Sequence, residues 1–379
     1  MNLRRARILT AGTTVVALTA LITGCGSTDK QAAKAGVSGS SQPAPGPPAS
    51  GMPGSVWVAN EEGGSLSVID TATNTVVTTV EGIAEPHNVQ VAPDGARVYA
   101  VSGHASTVAA LDAATYRLAA AAPTGAGPSH VVQTPDGQKT YVTNYNSGTV
   151  SVYRGDLRPA ATINLGGGPH GMRPSPDGAT LVVANLKAAT VDLIDTRTDT
   201  KIASVPVDGP VIQVAVAPDN RYAYASVSQP ASIVKIDLQN RAVAGRTPVP
   251  AAPAQVYLTP DGRQLLSADQ GSEAAPGNAV SLIDTASMTG TGTITTGSGP
   301  HGVVVDPTGK RAWVTNVYDD TVSVVDLPTR TTVATIKVGD SPNGISYAAK
   351  SPASVAARIS VALPTPSATS AGAEHGGHG

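Results

Sequence analysis

The chain has 379 residues, enough for two average domains or for one large all-β domain. Hydrophobic residues make up 41% but aromatic residues only 3%, and Phe is absent. The core must therefore be built from Val, Ile, Leu and Ala, with Trp57 and Trp313 among its few large members. Lys and Arg number 25 against 27 acidic residues, a formal charge of −2, which excludes the strongly basic balance typical of a nucleic-acid binder.

In chain order, the first segment carries Arg4, Arg5 and Arg7 ahead of an apolar or small stretch from Ile8 to Thr23. It is short and lightly flanked for a membrane-spanning helix, so residues 1–24 read as a secretory signal. The stretch ends in Ile22-Thr23-Gly24-Cys25, which resembles the bacterial lipobox, and Cys25 is the single cysteine. That resemblance implies lipidation at Cys25 and an extracytoplasmic protein anchored to the bacterial cell membrane. Residues 25–54 follow, rich in Ser, Ala, Gly and Pro, and are expected to form a disordered tether. Residues 350–379 have the same character and are expected to be a disordered tail. The tail ends in Glu374-His375-Gly376-Gly377-His378-Gly379, a weak metal-binding pattern better read as solvated chain.

Between tether and tail, residues 55–349 repeat with a period near 42. An Asp closes an apolar strand at Asp70, Asp112, Asp195, Asp237, Asp284 and Asp326, at intervals of 42, 83, 42, 47 and 42. A second marker is Pro-Asp-Gly, at Pro93-Asp94-Gly95, Pro135-Asp136-Gly137, Pro176-Asp177-Gly178 and Pro260-Asp261-Gly262. Asp-Gly predicts a two-residue hairpin turn with positive φ at both positions. The Asp after each apolar strand predicts a turn in which its carboxylate accepts from its own backbone two residues on. Segments such as Thr321-Val322-Ser323-Val324-Val325-Asp326 alternate with period two. Four short antiparallel strands per repeat at this spacing predict an all-β propeller.

Tyr141-Val142-Thr143-Asn144 spells the signature of the YVTN repeats, with near copies at Trp57-Val58-Ala59-Asn60, Val182-Val183-Ala184-Asn185 and Trp313-Val314-Thr315-Asn316. The chain therefore resembles YVTN-repeat, YncE-like propellers, and more distantly the propellers of lactonases and d1-haem nitrite reductases. The domain opens on the second strand of a repeat and ends, at Pro342 to Ala348, on a lone first strand. This predicts seven four-stranded blades with the C-terminal strand closing the first.

Function in propellers usually lies around the central channel, on the face where the chain enters each innermost strand. Aligned there, His87, His170 and His301 share one repeat position with Asn343, while Ser129, Ile212 and Ala254 fill it elsewhere. His130 falls one residue later, and strand alternation predicts that it points elsewhere. His87, His130, His170, His301 and Asn343 are thus the candidate ligand-binding residues. His87, His170 and His301 are the candidate ligands of a divalent metal ion. Duplicated repeats could equally carry His for a local structural reason. Glu85, Arg173 and Asp306 lie near in sequence, but no acidic partner for the imidazoles is identifiable. A five-residue insertion within Gln270 to Asn278 enters the sixth blade on the same face.

No Gly-rich phosphate loop, nucleophile elbow or Cys-x-x-Cys-His haem attachment occurs. The expected function is a non-enzymatic binding or scaffold propeller that takes a protein, glycan or small molecule at the channel mouth. The first alternative is a metal-assisted hydrolase or lyase resembling propeller lactonases, and the second a haem or copper redox protein resembling d1-haem propellers. A monomer with no nucleic-acid partner is expected.

Overall fold

The structure, a computed structural model, describes residues 53–364. The signal segment, Cys25, nearly all of the tether and the terminal His375 and His378 lie outside the described residues. What is described is all β: seven antiparallel sheets, one per repeat. In the first blade the innermost strand is the last of the repeat array, Pro342–Ala348, and it pairs with Ser55–Asn60. Closure by the C-terminal strand is therefore as the strand count predicts. It leaves no unpaired inner edge where the ring meets itself.

The reason these residues make blades lies in their alternation. The second and third strands of nearly every blade bury most of their length, as in Thr180–Asn185 and Thr190–Asp195, while fourth strands such as Pro159–Asn164 are largely exposed. Both faces of the inner strands are covered, since a blade packs against a neighbour on each side. Seven apolar clusters result, one at each junction between successive blades. The seventh-to-first junction is as well filled as the rest, with Val304, Trp313 and Val322 against Val56, Val58 and Ile345.

The turns agree with the sequence in one respect and correct it in another. Asp70 accepts from the Ala72 amide at 2.8 Å, and Asp195 from the Arg197 amide at 2.8 Å. The Pro-Asp-Gly turn, however, is not a two-residue hairpin with both positions at positive φ. Only Gly95 has positive φ, at 65°, and the loop runs from Ala92 to Arg97, closed by the Ala92 amide on the Arg97 carbonyl. Asp94 keeps an ordinary φ because its carboxylate accepts from the Ala96 amide, which turns the chain without a left-handed residue there.

A second correction concerns the tail. Residues 350–364 are not free chain: Arg358–Ser360 adds a fifth strand to the first blade, parallel to Thr75–Glu81. Ala353, Val355, Ile359, Val361 and Leu363 pack on the cluster around Trp57 and Leu66. The composition suggested disorder because the tail as a whole is rich in Ser, Ala, Gly and Pro. A preformed edge strand offers backbone partners that such a segment can take with only a few apolar contacts.

Candidate functional site

The chain enters each innermost strand on one face of the ring, and the threonine of the Tyr-Val-Thr-Asn stretch organises those entries. Thr143 Oγ1 receives the His130 amide at 3.0 Å and donates to the His170 carbonyl at 2.6 Å, so one hydroxyl links two blades. Thr315 does the same between the Gly302 amide and the Asn343 carbonyl. The entries of neighbouring blades are thereby held at fixed separation, and their side chains converge on the channel.

Three imidazoles meet there. One nitrogen each of His87, His130 and His170 lies within 4.8 Å of the other two. The ring centroids of His130 and His170 are 5.0 Å apart, and those of His87 and His130 are 5.5 Å apart. His130 therefore does not point away, as strand alternation predicts. Its strand shifts register between Pro128 and Val131, and a bulge cancels simple alternation. His301 stands farther out, with its ring 6.2 Å from that of His87 and its Nδ1 buried without a partner. The trio nearest to metal-ligand spacing is thus His87, His130 and His170 rather than His87, His170 and His301.

Room for this trio comes from a glycine. Gly171 follows His170, and a Cβ there would collide with the side-chain amide of Gln213 and the Ile212 carbonyl. With hydrogen in that place, Gln213 reaches across its neighbour to His130, Nε2 to Nδ1 at 3.4 Å. The glycine of this Pro-His-Gly entry is needed for close approach.

The acid that the sequence did not reveal is Glu61, directly after Asn60 in the hairpin between the second and third strands of the first blade. His87 Nδ1 donates to Glu61 Oε1 at 3.1 Å, and Asn343 Nδ2 donates to Glu61 Oε2 at 2.6 Å. Its only sequence signal was its position, on the loop that shares a face with the strand entries. Glu85, Arg173 and Asp306 do not take this role. Glu85 uses its carbonyl to receive the Gly103 amide, Asp306 receives the Lys310 and Arg311 amides, and Arg173 faces the other end of the channel.

The tautomers follow from these contacts. His170 Nδ1 donates to the Ile212 carbonyl at 2.9 Å, so its Nε2 presents a lone pair. His87 commits its Nδ1 hydrogen to Glu61, yet its Nε2 lies 3.1 Å from His170 Nε2. Two lone pairs cannot face each other at that distance, so one of the two nitrogens carries a hydrogen and donates to the other. Burial pushes the His87 pKa down, but the Glu61 charge and hydrogen bond outweigh it and leave the value raised. Glu61 is pulled down to about 2: burial opposes this, and the His87 charge and hydrogen bonds from His87 and Asn343 prevail. That hydrogen lies on His87 Nε2, because the Glu61 carboxylate favours the charged form of that ring while His170 Nε2 keeps its lone pair. Burial, then the His87 charge, holds His170 at about 3 and His301 at about 4. Burial and the neighbouring imidazoles push His130 well below its ordinary value. These three rings are neutral at neutral pH, the state in which imidazole ligates metals.

The rim beside His170 carries Tyr145, ring centroid 6.3 Å away, capped by the Lys187 ammonium 4.1 Å from the tyrosine ring. The insertion in the sixth blade extends its hairpin as Gln264–Ser272 and Ala275–Asp284. Its Gly277 carbonyl receives the Gly299 amide just ahead of Pro300-His301, so the insertion braces that entry.

A family model described as "Lactonase, 7-bladed beta-propeller" matches residues 58–209. No curated protein matches the sequence. Among solved structures, the chain is similar to Kuenenia stuttgartiensis hydrazine synthase, at 22% identity and a TM-score of 0.64, over 69% of this chain and 89% of that one. It is also similar to a Bacteroides fragilis protein described as a candidate 6-phosphogluconolactonase, at 18% identity and 0.66, over 79% and 99%. A dihydro-haem d1 dehydrogenase aligns at 15% identity and 0.59, over 77% and 74%. At these identities the structural likeness is one of fold.

Proposed function

We propose that this propeller holds a divalent transition-metal ion at His87, His130 and His170, and that the centre serves hydrolysis of a small lactone or related ester. The observation that carries the metal site is the clustering of one ligand nitrogen each from His87, His130 and His170 within 4.8 Å of one another. Zinc–imidazole bonds of roughly 2.0–2.1 Å would need nitrogen spacings of roughly 3.3 Å in a tetrahedral site. The His87–His170 spacing of 3.1 Å is close to that value, and the His130 nitrogen lies within 4.8 Å of both. Glu61 fixes the orientation of His87 and raises its basicity, as carboxylates beside metal-bound imidazoles do. Asn343 holds Glu61 in turn. A bound ion of this kind polarises a carbonyl and makes attacking water available near neutral pH. Tyr145 and Lys187 provide a rim on which an oxygen-rich substrate can rest. The match to a lactonase family model over 58–209 supports the choice of ester among possible substrates.

Elemental analysis and zinc or copper titration of untagged protein test the site. We expect one ion per chain, His87→Ala and His170→Ala variants that fail to retain it, and Glu61→Gln binding about 10–100-fold more weakly. Equal retention by all three variants would sink the metal centre. Metal loading without turnover of any lactone would instead favour a pure binding propeller. We further propose that the chain is exported and lipidated at Cys25. Metabolic labelling with a fatty-acid analogue should mark the wild type and not Cys25→Ala.

A further inference from the structure

The central channel has a second end, on the side of the Pro-Asp-Gly turns, and it holds a cavity of about 530 Å³. Arg173, Ala215 and Tyr257 occupy the same place in three successive repeats, three residues after the His position, and all three line the cavity. Ala215 stands between the two long side chains and contributes only a methyl group, which opens the space. Val305, Pro307 and Tyr347 supply an apolar wall opposite.

Arg173 is the unusual group. It donates from Nη1 to its neighbour's carbonyl, Met172, at 3.0 Å, and no carboxylate among the described residues pairs with it. It interacts electrostatically with Tyr257 and, from the other side, with His130. Burial pulls the guanidinium below its ordinary pKa, as expected for a cation removed from water without a counter-ion. Asp306 lines the same cavity, but its carboxylate is spent on the backbone turn, receiving the amides of Lys310 and Arg311 and the Thr308 hydroxyl. A guanidinium fork without an acid, facing an apolar cavity beside a phenol, is the arrangement that recognises a planar oxyanion attached to an apolar body.

We infer that this end of the channel binds a small organic acid, its carboxylate on Arg173 and Tyr257 and its apolar part against Val305, Pro307 and Tyr347. The site lies on the Pro-Asp-Gly side of the channel, and because Arg173 also interacts electrostatically with His130, it is tested without metal.

Calorimetric titration of metal-stripped full-length protein with benzoate, and in parallel with inorganic phosphate, tests this. Benzoate should bind and phosphate should bind more weakly, because phosphate gains nothing from the apolar wall. Arg173→Met should weaken benzoate about tenfold or more, and Arg173→Lys should weaken it less, since charge survives but the fork does not. Tyr257→Phe should cost a few-fold. Without ligand, Arg173→Met should melt at or above the wild-type temperature, because it removes an unpaired desolvated charge. A purely structural arginine would show the opposite. No benzoate binding, or equal binding by Arg173→Met, would overturn the site; phosphate binding as tight as benzoate would overturn its assignment to organic acids. The titration uses metal-stripped protein and the metal test uses the His87, His170 and Glu61 variants, so failure here is distinguishable from failure of the metal centre.

Discussion

Asp269 sits where four other blades have Asn60, Asn144, Asn185 and Asn316 at the end of the second strand. Those asparagines donate to the third strand, as Asn144 does to Ser151 at 2.9 Å. Asp269 instead accepts from Ser267 at 2.7 Å and Ser281 at 2.5 Å, and burial outweighs those bonds to push its pKa up to about 6. Between pH 4 and 6 the folded chain therefore keeps a proton that the unfolded chain has lost. Asp269 thus costs stability as pH rises through that window, and the cost persists above it. Asp269→Asn should be more stable than the wild type by about 1–3 kcal/mol at pH 8, with the gap closing near pH 4. Urea denaturation at the two pH values checks this, and a gap independent of pH would refute it. This substitution was legible in the sequence as a break in the repeat. Its energetic sign was not, because that depends on both serines and on complete burial.

At the level of elements, an aromatic residue on several second strands reaches the turn of the next blade. Tyr141 donates to Asp199 Oδ1 at 2.7 Å, and Lys139 reaches Asp199 Oδ2 at 2.7 Å. Trp57 packs edge-on against Tyr116, centroids 5.0 Å apart, and Tyr99 donates to the Gly155 carbonyl at 2.9 Å. The repeat position is thus a staple between blades, which explains how a chain with so few aromatic residues joins its sheets. Tyr141→Phe should cost about 1–2 kcal/mol, the loss of a hydrogen bond to a charged group. Combined with Asp199→Asn it should cost less than the sum of the two single changes, since they act on one network. Chemical denaturation of the double-mutant cycle gives both numbers. Strand content and blade count could be read from spacing alone. Which residues bridge the blades could not, since the partners lie 55 to 60 positions apart in sequence and meet only when sheets stack.

For the whole molecule, closure is the feature on which cooperativity rests. A chain ending at Ser341 lacks the innermost strand of the first blade and leaves Ser55–Asn60 as an open edge beside an emptied junction. It should lose most of its cooperative transition or melt far below the full chain. A chain ending at Ser351 keeps closure and loses only the added outer strand and its apolar contacts. It should be destabilised by about 1–3 kcal/mol, in line with partial exposure of a few small apolar side chains. Calorimetry of the two truncations separates these cases, and equal melting temperatures would argue against closure as the source of cooperativity.

The sequence by itself determined the propeller, its seven blades and the way the last strand completes the first. Those follow from local rules, strand alternation and turn residues, repeated often enough to be counted. It also pointed to the imidazoles, because His87, His170 and His301 recur at one repeat position. Only the tertiary structure decided which of them meet. A bulge turned His130 inward, Gly171 made room for it, and Glu61 arrived from a hairpin of another blade. The same holds for the ordered stretch after Lys350, whose apolar residues gain a place only because the first blade presents an edge. Side chains in a channel are placed by the backbone geometry of every blade at once, and no repeat taken alone contains that information.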